Sequence, residues 1–202
     1  MENGEEDGEI LYEEPEIIPL LPEFLKENEE MTGASRGTAY HRLLEILDFR
    51  RDYDKESLRE AVESFRDTGR LDRKMAEAIR LGDILTFLNS ATGKRACKAA
   101  KNGKLRKEQP FVLGVDAKEL YKEEEDGEII LVQGIIDVYF EEDDGLVVLD
   151  YKTDKVKTSQ ELAEKYHAQL DYYGKALEQM TQKKVKEKII YSFTLKEEII
   201  LP

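Results

Sequence analysis

The chain has 202 residues, 45 acids against 31 bases and one cysteine, for a net charge of −14. That length holds one domain with a real core. The lone Cys97 excludes an internal disulfide and fits a cytoplasmic setting. No apolar run is long enough to span a bilayer, and the acidic N-terminus is no signal peptide. The charge looks wrong for a nucleic-acid-binding protein until its distribution is read. Twelve acids stand in residues 1–30 against the single base Lys26, so the remaining body is close to neutral and compatible with nucleic acid.

Residues 1–30 read as an acidic leader and arm. The first fourteen are too polar to form a core, and Pro15, Pro19 and Pro22 break the apolar stretch that follows. Residues 31–202 read as one domain. Ser35 is the expected N-cap of a helix over 36–49, where Tyr40, Leu43, Leu44 and Leu47 recur at helical spacing. Further helices are expected near 54–67, 70–80 and 82–100, then strands over 104–115, 128–140 and 145–152. A long helix over 158–181 carries Leu162, Tyr166, Leu170, Tyr173 and Leu177 on one face. A strand near 188–195 follows, with 198–201 pairing at an edge. Three meandering strands and a helical crossover predict an α/β fold, a small mixed sheet flanked by helices with extra helices at the N-terminus.

Two apolar runs end in acids, Gly134-Ile135-Ile136-Asp137 and Leu149-Asp150-Tyr151-Lys152. Side chains alternate along a strand, so Asp150 and Lys152 share a face and Tyr151 takes the other. Gly145 closes the hairpin that brings Asp137 beside Asp150. Acids and a lysine on a hairpin are ordinary when solvated. Here both acids terminate apolar runs, where burial is costly without a compensating charge. Two carboxylates and an ammonium at one sheet end suit a hard cation and a phosphodiester.

These residues resemble the PD-(D/E)XK nucleases. The ordered words Gly37-Thr38-Ala39-Tyr40-His41, Gln133-Gly134-Ile135-Ile136-Asp137, Asp150-Tyr151-Lys152-Thr153-Asp154 and Gln169-Leu170-Asp171-Tyr172-Tyr173 resemble the RecB-type nuclease domain. The likeness is to the form at the C-terminus of AddA-type helicase-nucleases, over roughly residues 15–200. The resemblance implies a restriction-endonuclease-like core and a DNA exonuclease acting on strands unwound by an attached helicase in double-strand-break repair. It implies Mg²⁺, with Mn²⁺ as a substitute, held by His41, Asp137, Asp150 and the carbonyl of Tyr151. Lys152 would orient the attacking water and stabilise charge on the phosphate. Gln169 would act at the catalytic centre, and Tyr173 would brace it or touch DNA. The implied partners are single-stranded DNA, helicase domains of the same parent chain and a second nuclease subunit. An iron–sulfur cluster, which some of these nucleases carry on four cysteines, cannot be built on Cys97 alone.

Other residues carry weaker signals. Glu45, one turn from His41, is a candidate partner for the imidazole. Glu108 is an acid near the site but not an expected ligand, and His167 has no motif claim. Lys94, Arg95, Lys98 and Lys101 form a basic cluster. Charge runs of this kind are usually solvated faces, with phosphate tracking the sharper alternative. Thr92-Gly93-Lys94 lacks the upstream glycine and the following Ser or Thr of a phosphate-binding loop, so no motor is expected within these residues. Two other readings stay open: a docking module with little activity of its own, and a stand-alone repair or defence nuclease.

Overall fold

The computed structural model describes residues 36–116 and 129–202. The expected leader, the arm and the Ser35 cap lie outside the described residues. Helix α1 spans Arg36–Ile46 and buries Ala39, Tyr40, Leu43 and Leu44. It stops three residues short of the expected end. The Asp48 side chain there accepts from the Arg50 backbone N–H, a local bond that competes with helix. The Lys107 ammonium donates to the Leu44 and Leu47 carbonyls at 3.0 and 2.7 Å, satisfying groups the helix leaves open.

Helix α2, Lys55–Asp67, starts in a capping box between Asp54 and Ser57. The next expected helix shrinks to α3, Arg73–Ala78, because the Asp72 side chain caps it from Lys74 N–H. The helix expected over 82–100 is two helices, α4 over Leu81–Asn89 and α5 over Ala91–Lys101. Ser90 ends one in an extended conformation, and its hydroxyl accepts from Gly93 N–H to start the other. A Cβ on Gly93 would collide with the Phe87 carbonyl, so the sharp corner depends on glycine.

Strands β1 (Leu105–Asp116), β2 (Ile129–Glu142) and β3 (Gly145–Lys152) form an antiparallel meander. Helix α6, Ser159–Thr181, then crosses over to β4, Val185–Ser192, which lies parallel to β3. Strand β5, Glu197–Leu201, closes the far edge antiparallel to β4. The sheet order is β1-β2-β3-β4-β5. β4 begins and ends about three residues earlier than expected, and residues 193–196 are a turn with Lys196 at φ 59°. Helices α1–α5 cover one face over Val138, Phe140, Val147, Leu149 and Tyr191. Helix α6 covers the other over Leu146, Val148, Tyr172, Tyr173 and Leu177. No helix among the described residues is long and apolar enough to cross a membrane.

One irregularity positions the site. A regular strand keeps alternate residues on one face, yet Leu105 packs with the α1–α5 layer while Phe111, Leu113 and Val115 pack with α6. On β2, Val138 and Phe140 belong to the first layer and Val132 and Ile136 to the second. Both strands therefore exchange faces between these groups. Glu108, at φ 49° in the left-handed region, stands at that point. The pairs on either side of it, Lys107↔Val138 and Gln109↔Ile136, place it opposite Asp137. Such backbone is uncommon for a residue with a Cβ, and strain of this kind gathers at functional sites.

Candidate active site

Asp137 sits where β2 changes face, one residue before Val138 pairs with Leu149 of β3. That register brings Asp150 alongside. Both carboxylates are buried, Asp150 with only 1% of its surface exposed. Helix α1 lies over this end of the sheet and lowers His41 between Asp137 and the β3 backbone. His41 Nε2 donates to the Tyr151 carbonyl at 2.9 Å, and Nδ1 lies 3.3 Å from Asp137 Oδ1. The second oxygen of Asp137 accepts from Tyr151 N–H at 2.9 Å. The Tyr151 ring turns to the other face, edge-on to Phe87 at 5.2 Å, so it packs while its peptide unit serves the site.

Lys152 follows the alternation and shares a side with Asp150. Its ammonium lies 2.9 Å from Asp150 Oδ2 and donates to Gln169 Oε1 at 3.1 Å. Gln169 in turn donates to the Tyr173 hydroxyl at 2.7 Å. These two residues are one turn apart on α6, so the helix holds the lysine through a short polar chain. Tyr173 is fixed edge-on to Phe111 at 5.5 Å.

Charge balance separates the groups. Burial works against charge on Asp137, but His41, Lys152 and the Tyr151 N–H together hold its carboxyl below the usual range. Burial also penalises a charged His41. The charge and hydrogen bond of Asp137 outweigh it, pushing the imidazole up to about 9. Both ring nitrogens face oxygen acceptors, as an imidazolium requires. Asp150 is the under-compensated member. Burial and the neighbouring Asp137 push it up to about 6 despite Lys152. Lys152 stays above its ordinary value because Asp150 and Asp137 outweigh its burial.

Two residues outside the expected set join the cluster. The Tyr166 ring lies 3.9 Å from the Lys152 ammonium, within cation–π reach. Its hydroxyl donates to Asp154 at 2.7 Å. The signals were present: Tyr166 is three residues before Gln169 on one helix face, and Asp154 ends the Asp150–Asp154 word. Glu108, opposite Asp137, has its carboxyl pushed up to about 7, first by burial and then by the charge of Asp137.

Other candidates lie elsewhere. Glu45 is held by Arg42 at 2.6 Å; the imidazole takes Asp137 and Tyr151 as its partners. His167 pairs with Asp171 at 3.1 Å. Arg95 makes four hydrogen bonds, two each to Glu142 and Glu187, at 2.8–2.9 Å. Glu142 is five residues along β2 from Asp137, roughly 17 Å at the rise of a strand, so the structure does not bring Arg95 to the acids. Lys101 pairs with Asp52 at 2.7 Å, on the same outer side of α5 as Lys94 and Lys98.

The donor set fits a hard divalent cation in kind: two carboxylates, a backbone carbonyl and an imidazole. Asp150 Oδ2 is buried without an aligned hydrogen bond, although Lys152 is close. Such an oxygen wants positive charge. The cluster is stitched by internal pairs, and no group of three acidic, histidine or cysteine side chains among the described residues has the spacing of a ready metal cage.

Residues 19–199 match the model of the PD-(D/E)XK nuclease superfamily. Curated relatives bear the name of the larger, first-lettered chain of an ATP-dependent helicase/nuclease. One from Lachnoclostridium phytofermentans is 37% identical over 91% of this chain and 16% of its own length. One from Acetivibrio thermocellus is 39% identical over 92% of the chain and 15% of its own length. One from Clostridium novyi is 38% identical over 85% and 14%. The chain thus spans about one-seventh of the length of these relatives.

Proposed function

The chain belongs to the PD-(D/E)XK nuclease superfamily, and from that premise we propose that it hydrolyses phosphodiester bonds in DNA as a divalent-cation-dependent exonuclease. The observation that carries this reading is the buried pair Asp137 and Asp150 with Lys152 held beside Asp150 by Gln169. In this reading His41, Asp137, Asp150 and the Tyr151 carbonyl hold Mg²⁺, with Mn²⁺ as a substitute. Bound there, the cation would polarise the phosphate and lower the pKa of the attacking water.

The protein's own groups do the rest. Lys152, fixed between Asp150, Gln169 and the Tyr166 ring, presents a charged donor to the phosphate oxygens where negative charge grows. Asp150, titrating near neutrality, can accept a proton from the incoming water. Gln169 and Tyr173 act through Lys152 and are positioning residues. Glu108 shapes the field at Asp137.

The reading extends to the parent protein. The relatives are named helicase/nuclease subunits, so strands separated by a helicase portion of the same chain are the proposed substrate. The proposed partner is a second nuclease subunit. Residues 31–202 form the nuclease unit in this scheme, and 1–30 a leader joining it to the rest.

Cleavage of end-labelled single-stranded DNA in Mg²⁺ or Mn²⁺, beside EDTA and Lys152→Ala, tests this. Cutting that needs the cation and falls at least about 100-fold in the variant is the expected result. A folded chain that cuts in neither cation, or a Lys152→Ala chain that cuts normally, would sink it.

A further inference from the structure

Most cations in the described residues are matched with carboxylates. Arg36, Arg42, Arg50, Arg59, Arg95 and Lys186 are examples. One region departs from that pattern. A cavity of about 380 Å³ opens where α4 meets α5, lined by Arg51, Tyr53, Lys94, Cys97, Lys98 and Lys101 among others. Among the described residues, Arg51, Lys94 and Lys98 have no carboxylate partner. The acid at the rim, Asp52, is taken by Lys101 at 2.7 Å. The Arg51 guanidinium lies 5.7 Å from the centre of the Tyr53 ring.

Four cations around one hollow with one acid among them repel each other, in a chain whose acids outnumber its bases. The arrangement makes chemical sense if an anion completes it. Lys94, Lys98 and Lys101 follow at intervals of four and three residues, so they line one face of α5. The row is about 10 Å long at the rise of a helix. That exceeds one phosphate group and suits a strand carrying a charge on every nucleotide. The half-exposed Tyr53 adds a ring beside the charges, as strand-binding surfaces do.

The hollow is separate from the acidic cluster yet close to it. Leu88 on its wall follows Phe87, whose ring packs edge-on against Tyr151. One aromatic layer therefore divides the two. We propose that this cavity is a phosphate-holding anchor for a DNA strand, with Arg51, Lys94 and Lys98 as its contacts and Arg95, locked to Glu142 and Glu187, outside it. The identity of the ligand as DNA rests on the nuclease reading; the anion chemistry does not.

The test measures binding of labelled single-stranded DNA to the whole chain in EDTA, where no cutting interferes, as salt is varied. Lys94→Glu/Lys98→Glu is compared with Lys55→Glu/Lys74→Glu, an equal charge change at exposed positions on α2 and α3. The anchor predicts that only the first pair loses about tenfold or more at low salt. The slope of log affinity against log salt should fall by about 1.4, the release expected from two contacts to a single strand. Lys94→Gln/Lys98→Gln should reproduce the slope change without reversed charge. Equal losses in both glutamate pairs would overturn the anchor. So would inorganic phosphate binding that needs Lys94 and Lys98 while DNA binding does not. Because binding is read without a cation, failure of the anchor leaves cutting by the unaltered chain, and hence the nuclease reading, independently testable.

Discussion

Two clusters of mixed charge sit five residues apart on β2, around Glu142 and around Asp137, and they are built to different rules. At the hairpin end, Arg95 joins Glu142 and Glu187, and Lys186 bridges Glu142 and Asp144. Every partner there is partly solvated and the pairing is saturated, holding Glu142 down at about 2. In the other cluster, Asp137 and Asp150 are buried with His41 and Lys152. One acid is held low, the other rises to about 6, and one oxygen lacks an aligned donor. The first cluster minimises the energy of the folded chain. The second tolerates unresolved charge, the pattern expected where groups are kept ready for chemistry.

Exchanging one member of each cluster gives the largest contrast. Asp150→Asn should reduce cleavage of single-stranded DNA at least about 1000-fold, with little loss of thermal stability. It removes the charge that burial disfavours. Arg95→Met should do the reverse: cleavage within about twofold, but stability lower by roughly 1–3 kcal/mol, because two carboxylates lose a bidentate partner. Cleavage assays and thermal melts of the two variants decide it. Similar stability losses in both would erase the distinction between the clusters.

Glu108 sharpens the comparison through pH. Its carboxyl titrates near 7 in the folded chain, against 4.5 for a free glutamate. The folded state therefore binds more protons than the unfolded state between those values, and stability falls as pH rises through that window. Glu108→Gln should flatten the fall and raise the melting temperature at pH 8 in EDTA. The gain should be no more than about 1 kcal/mol, since the group is part-exposed and solvent screens it. A melting curve whose pH dependence is unchanged in the variant would show that Glu108 does not carry this charge strain.

What the sequence could disclose follows from the range of the forces involved. Asp150 and Lys152 are two residues apart, and strand alternation alone puts them on one side. Local helix caps are equally readable in principle: Asp54 and Ser57 form a capping box within four residues. The break at Ser90 had a local signal too, a serine three residues before Gly93, but helical apolar spacing continued across it and masked the corner. The left-handed turn at Glu108 had none, because a glutamate gives no hint of positive φ. Arg95 shows the limit most clearly. Its partners are 47 and 92 residues away, and only the sheet brings them near, so a basic run on a helix looked like one DNA-facing unit when the fold divides it.

Tyr166 allows the smallest and most selective test of the site. Its ring lies under Lys152 while its hydroxyl is spent on Asp154, so the two contributions can be removed separately. Tyr166→Phe keeps the ring and should leave cleavage within about threefold, with a stability loss of roughly 1 kcal/mol for the buried bond. Tyr166→Leu removes the ring as well. The interaction with Tyr166 favours the charged form of Lys152, so its loss should lower the lysine pKa and move the basic limb of the pH–rate profile to lower pH. A packing defect alone would reduce activity evenly at every pH. A shifted limb in Tyr166→Leu, absent in Tyr166→Phe, would place the aromatic face among the groups that keep Lys152 protonated; parallel profiles for the two variants would reduce Tyr166 to a packing residue.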